Sequence, residues 1–217
     1  MAALQPSRAA LRPTEPSEPL PVRSGIGLWD AVSSVRVSTP PVRFPSMADS
    51  DFQVALVTVD DTVLEQLVEA AITDASADEV TPPLTAGPAW TPTRIAWLRD
   101  FHRDRRTGLN GPARETTWAI ILDQRVVGSV RLQRTERPDL LETGVWLTRG
   151  TRGHGVGRAA MAAALREAAA LGSTSVCAET TASNAGALTV LERLGFDLTP
   201  VDDGRGVHAL LVFKTQL

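Results

Sequence analysis

"TRGTRGHGVGRAAM", residues 148–161, sets four glycines and three arginines between a segment ending "VWL" and an alanine-rich run. With Leu147 closing a strand and Gly157 opening a helix, the loop between them exposes several backbone N–H groups at a helix N-terminus. Unsatisfied donors and a positive macrodipole make such a place attractive to anions. Gly153, Gly155 and Gly157 let an anionic group approach the backbone without meeting a Cβ, while Arg149, Arg152 and Arg158 can add charge-assisted bonds. A pyrophosphate suits this loop. His154 and Val156 complete it, and His154 is better placed to meet phosphate or solvent than to act as a base. No lysine follows the glycines, so the loop is not the G-x-x-x-x-G-K-[ST] nucleotide loop. The spacing Gly153-x-Gly155-x-Gly157 also departs from the G-x-G-x-x-G dinucleotide fingerprint, which opens a parallel βαβ unit.

Working outward, "GRAAMAAALREAAALG" is a run of strong helix formers closed by Gly172. Upstream, "ETTWAIILDQRVVGSVRLQR" reads as two strands joined near Asp123-Gln124, and "LLETGVWLT" as a third, an antiparallel meander. "FQVALVTV" alternates like a half-buried strand, and the helix after it carries an apolar stripe of Val63, Leu64, Leu67, Val68, Ala71 and Ile72. Residues 74–90 form a polar, proline-containing loop. A second helix follows with Thr91 as N-cap, Pro92 at its first position and Gly108 as its stop, and with Ile95, Leu98 and Phe101 as its stripe. Downstream, "STSVCAET" is a short strand, "SNAGALTVLERLG" a helix capped by Ser183 or Asn184, and "GVHALLVFKT" a closing strand. The order is α+β, with one crossover in the middle.

The string Arg152-Gly153-His154-Gly155-Val156-Gly157, an R-x-x-G-x-G pattern between strand and helix, resembles motif A of the GNAT superfamily of acyl-CoA-dependent N-acyltransferases. "NAGALTVLERLGF", Asn184 to Phe196, resembles that family's motif B helix; the resemblance covers roughly residues 52–217, with the two motifs at the proper separation. The resemblance implies a mixed, mostly antiparallel twisted sheet of six to seven strands with about four helices, splayed at the central strand. It implies acetyl-CoA as acyl donor, its pyrophosphate on the loop and its pantetheine arm between Asn184 and the strand end at Leu147–Arg149. It also has a RimJ/RimL-like character.

The family's chemistry is direct attack of an amine on the thioester in a ternary complex, and Glu142 in "LLETGVW" is the candidate base. The alternative for Glu142 is a solvated strand-edge carboxylate. The family's usual acids on motif B are missing: the chain has no tyrosine, and the corresponding positions hold Leu191 and Ala187. Cys177 reads as a buried structural thiol. Three functions follow as expectations. The first is acetylation of a small, polar, cationic amine, such as an aminoglycoside antibiotic, received by Asp74, Asp78 and Glu79. The others are acetylation of protein N-termini and a non-catalytic acyl-CoA-binding module.

Charge narrows the field. Residues 1–46 carry five arginines against Glu15, Glu18 and Asp30, so residues 47–217 keep a net charge of −5. That balance speaks against a nucleic-acid partner and for a cationic substrate. Eight of the fifteen prolines also lie in residues 1–46, which reads as a disordered extension, or as residues ahead of a native start at Met47, before a single domain over 47–217. A lone cysteine and no Cys/His cluster point to a cytoplasmic protein without a metal. No apolar run approaches the length of a membrane span, and a monomer or homodimer is expected.

Overall fold

The computed structural model describes residues 54–201 and 204–213; the reading of residues 1–46 lies outside them. The elements run β1 (Val54–Thr58), α1 (Asp61–Asp74), α2 (Ala77–Val80), α3 (Pro92–Asp104), β2 (Glu115–Leu122), β3 (Arg125–Arg134), β4 (Leu140–Leu147), α4 (Val156–Ala170), β5 (Ser175–Thr181), α5 (Ala185–Arg193), β6 (Asp197–Pro200) and β7 (Gly206–Val212). The strands form one sheet in the order β1-β2-β3-β4-β5-β7-β6. Every neighbouring pair is antiparallel except β4–β5. The α+β expectation and the strand count hold. β6 is the strand that periodicity missed, since "DLTP" is short and ends in proline.

Helix boundaries follow from capping chemistry. Asp60 accepts from the Val63 amide at 2.8 Å and Thr91 from the Arg94 amide at 3.3 Å, each side chain satisfying an orphan donor of the first turn. At the β2–β3 turn Asp123 and Gln124 both take positive φ, 48° and 62°, the backbone of a two-residue hairpin that follows the sheet's own twist.

Both faces of the sheet are covered. On one side α4 and α5 pack Val156, Ala160, Met161, Leu165 and Leu191 against Val130, Leu132, Val145 and Val176. Nine of the fifteen α4 residues are buried; its alanines let the backbone lie close to the sheet while Met161 and Leu165 fill the space between. Burying each of those two is worth about 1.5–3 kcal/mol. On the other side α1 and α3 bring Leu64, Leu67, Val68, Ala71 and Leu98 onto Ala119 and Trp146. The α1 stripe is narrower than expected, because Ile72 is exposed.

The face of α3 departs further from its apolar pattern. Its fully buried residues are Arg94, Leu98 and His102, one on each turn, while Ile95 and Phe101 are half-buried. Arg94 is tolerated there because its guanidinium bonds Thr81, Thr85 and the carbonyls of Thr85 and Gly87, and pairs with Asp78 at 2.7 Å.

Candidate active site

β4 and β5 pair over only three rungs, Leu140↔Ser175, Leu141↔Val176 and Glu142↔Cys177, and then separate. The opening therefore begins at Thr143, one residue past Glu142, rather than at Leu147–Arg149 as expected. β4 itself stays paired with β3 through Leu147, so only its β5-facing edge opens. The resulting V puts unpaired strand edges at the centre of the sheet, a place where a ligand can add backbone bonds.

Side chains alternate across β4. Leu141, Val145 and Leu147 join the α4 core, so Glu142, Gly144 and Trp146 face α1 and α3. On that face charges alternate in sign across three strands. Arg105 Nε donates to Glu115 Oε2 at 2.5 Å, Arg131 Nη1 to Glu115 Oε1 at 3.3 Å, and Arg131 Nη2 to Glu142 Oε1 at 2.5 Å. Glu142 thus sits at the apex of the V with Oε1 held by Arg131 and Oε2 without a donor among the described residues. Its neighbour Cys177 is buried, and burial, reinforced by the Glu142 and Glu179 carboxylates, pushes its thiol up to about 11, so it is a protonated structural thiol at neutral pH. Two residues along β5, Glu179 is exposed and lies opposite His208 in the β5–β7 register.

Beside this face a cavity of about 40 Å³ is walled by Glu79, Trp97, Phe101, His102, Arg131 and Trp146. Trp97 and Phe101 stack with ring centroids 4.9 Å apart. Trp90 and Trp118 do not line it: Trp90 Nε1 donates to the Ala75 carbonyl, and Trp118 packs against the α4 core.

The loop of residues 148–158 lies at the open end of β4. Gly153 and Gly155 take φ of 85° and 84°, the left-handed region where a Cβ is penalised, and a Cβ at Gly153 would face open space. Gly155 is the N-cap of α4 and no side chain caps that end. Among the described residues the amides of Gly153, His154, Gly155, Val156, Gly157 and Arg158 have no hydrogen-bond acceptor, the first capping bond being Ala159 N–H to the Gly155 carbonyl. His154 is exposed and Val156 and Gly157 are buried. Arg149 and Arg158 form no ion pair among the described residues. A run of unsatisfied amides beside two unpaired guanidinium groups suits a pyrophosphate, so the residues present fit the one in coenzyme A.

Two expected cofactor contacts are otherwise engaged. Arg152 donates through Nε and Nη2 to the Leu147 carbonyl at 3.0 and 2.8 Å, and through Nη1 and Nη2 to Glu79 at 3.1 and 2.7 Å. Asn184 is buried, with Oδ1 capping α5 at the Ala187 amide and Nδ2 donating to Thr180. Ala187 and Leu191 are buried in the core, so neither presents a polar atom. The acids expected to receive a cation are also partnered: Asp74 accepts from the Gly150 amide at 2.8 Å, Asp78 pairs with Arg94 and Glu79 with Arg152. Sequence reading passed over Arg131, Glu115 and His102 because charged residues on a strand or helix ordinarily mark solvent. The alternation Glu115–Arg131–Glu142 on successive strands is visible only once their register is known. Among the described residues no group of three or more His, Cys, Asp or Glu could hold a metal ion, and no helix is long and apolar enough to cross a membrane.

Residues 56–197 match the family model described as acetyltransferase (GNAT) domain. No curated protein matches the chain. Among solved structures, the fold is similar to the GNAT domain of S. lividans PAT, with TM-score 0.57 and 17% identity over 75% of this chain and 90% of that one. It is similar to RimL, a ribosomal L7/L12 alpha-N-protein acetyltransferase solved with coenzyme A, with TM-score 0.60 and 13% identity over 77% and 97% of the two chains. A third is the microcin C7 self-immunity acetyltransferase MccE solved with acetyl-CoA and AMP, at 0.56 and 14% over 76% and 94%.

Proposed function

The chain belongs to the GNAT acetyltransferase family, whose acyl donor is acetyl-CoA, and we propose that it acetylates a primary amine delivered to the V between β4 and β5, with Glu142 as base. The observation that carries this is the separation of the two strands directly after Glu142, which sets a carboxylate with one undonated oxygen at the apex of the opening. Acetyl-CoA, when bound, supplies a thioester carbonyl open to attack by a neutral amine. The amides of residues 153–158, with Arg149 and Arg158, would hold its pyrophosphate. Glu142 Oε2 takes the proton of the incoming ammonium, directly or through one water, while Arg131 fixes the carboxylate in place through Oε1. The two α5 positions where the family places its acid hold Ala187 and Leu191, which are core residues without a polar atom, so the departing thiolate, of reference pKa about 8.5, takes its proton from water.

For the acceptor, we favour a small cationic amine, because Glu142 and the exposed Glu179 place two carboxylates on the same side of the opening. The aminoglycoside form of this idea loses its first support, as Asp74, Asp78 and Glu79 are already partnered. A second reading, acetylation of a peptide N-terminus, is favoured by the small aromatic cavity walled by Trp97, Phe101 and Trp146, which suits one apolar side chain beside the amine.

Thiol release from acetyl-CoA, measured against aminoglycosides, polyamines and N-terminal peptides, separates these readings. Turnover with peptides alone sinks the small-amine form; coenzyme A binding without any turnover leaves a non-catalytic acyl-CoA-binding module. With whichever amine reacts, Glu142→Gln is expected to lower kcat about 100-fold or more and to remove the acid limb of the pH–rate profile, with coenzyme A affinity unchanged. An unaltered rate and profile would refute the role of Glu142.

A further inference from the structure

A glycine-rich loop binds an anion through its amides only if something else holds it in shape, since an unrestrained glycine backbone loses the most entropy on ordering. Part of that restraint lies in the 148–158 loop itself: residues 149–151 form a 3-10 turn, closed by the Thr151 and Arg152 amides on the Thr148 and Arg149 carbonyls, and the Thr148 amide donates to the Val127 carbonyl. Thr148 and Thr151 bond each other inside it. Two further ties come from outside the loop, at the end of α1 and within α2: Asp74 accepts the Gly150 amide, and Glu79 grips Arg152 with both carboxylate oxygens. Of the five N–H bonds of a guanidinium, Arg152 spends four on Glu79 and the Leu147 carbonyl, so little of it remains for a phosphate.

Resting on the acetyl-CoA reading of this loop, we propose that Glu79 is a positioning residue for the acyl donor: it holds Arg152 so that the loop is set for the pyrophosphate, and it ties that loop to the wall of the aromatic cavity. Glu79 is itself fixed. Its Oε2 accepts the Ser76 amide in a capping box, the neighbouring Ala77 and Val80 are buried, and Asp78 pairs with the buried Arg94 of α3. A continuous path of bonded groups therefore runs from the end of β4 through Arg152, Glu79 and α2 to α3, whose Trp97, Phe101 and His102 line the cavity with Glu79. The pair is mostly enclosed, with side chains 13% and 21% exposed, and breaking an enclosed pair leaves its survivor poorly solvated. Burial pushes the Glu79 carboxyl up, but the Arg152 bonds and the Ser76 amide outweigh it and hold the group below its ordinary range, so the pair stays ionised at neutral pH.

Two effects of losing Glu79 oppose each other. A freed guanidinium would attract phosphate, and a loosened loop would bind it less well. Loosening wins, because Arg149 and Arg158 already supply positive charge at a solvent-exposed loop where one more is screened, whereas the amides of residues 153–158 have no bonded partner of their own among the described residues and depend on the anchored Arg152 beside them. Binding of coenzyme A, measured by calorimetry on the full chain, is expected to weaken roughly three- to tenfold in Glu79→Gln. Hydrogen exchange in residues 74–84 is expected to slow when coenzyme A is added to the wild type and to stay unchanged in the variant. Glu65→Gln, which breaks the exposed Arg99–Glu65 pair between α1 and α3, controls for general loosening and is expected to bind as the wild type does. Unchanged or tighter binding in Glu79→Gln, an equal loss in Glu65→Gln, or no slowing of exchange in wild-type residues 74–84 would overturn the proposal. Failure of the wild type to bind coenzyme A overturns the reading of the loop itself, and the positioning role with it.

Discussion

His102 lies fully buried on the third turn of α3, its Nδ1 3.0 Å from Thr117 Oγ1 and its Nε2 without a partner among the described residues. Burial, and after it the charges of Arg105 and Arg106, push its pKa down from 6.5 to about 3. The folded state thus holds His102 neutral while the unfolded chain protonates near pH 6.5. The sign follows: this contribution to stability is complete above pH 6.5 and is lost as the pH falls toward 3, at about 1.4 kcal/mol per pH unit. Urea denaturation between pH 7 and pH 5, where few carboxylates yet titrate, is expected to show that slope in the wild type and a flatter one in His102→Gln; equal slopes would place the acid sensitivity elsewhere. His102 and Arg94 were illegible in the sequence for one reason. An apolar stripe counts hydrophobic residues, and these polar ones owe their burial to partners 9 to 15 residues away on a loop and a strand.

Among elements, α4 and α5 were the most legible, since alanine and leucine content and the glycines at 172 and 195 mark their bodies and ends. The start of α4 is also where a single backbone angle matters. Gly155 holds φ at 84°, and a β-branched residue there costs about 1–2 kcal/mol and puts a side chain among the free amides. Gly155→Val is therefore expected to weaken coenzyme A binding by roughly 5- to 30-fold or more, measured by calorimetry; retained affinity would refute the loop as the pyrophosphate site. The strand geometry was less legible. A register shift between Ile120 and Ile121 bends β2 against β3, and Gly128 sits beside it, where a Cβ would fall 2.1 Å from the Trp146 carbonyl. Only glycine permits β4 to approach so closely. In the sequence that glycine is one among sixteen.

At the scale of the molecule, the sheet and the helices that build the site lie within residues 54–213, and the family match within 56–197. A chain shortened to begin at Met47 is accordingly expected to keep both its coenzyme A affinity and its thermal midpoint; a loss of either would give residues 1–46 a role in the fold or the site. The sequence by itself determined the element order, the glycine loop at the head of α4 and the family, because capping, turn and loop chemistry are local and act between residues a few positions apart. It also named Glu142, though only by analogy with related strands. The tertiary structure decided the rest: that β4 and β5 diverge immediately beyond Glu142, that Arg131 holds Glu142, and that Glu79 and Arg152, 73 positions apart, clasp the 148–158 loop to α2. Those depend on strand register and on which charges find each other once helices pack. Arg152 shows the difference. In "TRGTRGHGVGRAAM" it is one of three equivalent cations beside a phosphate loop, and in the fold it is the one already bonded to the protein.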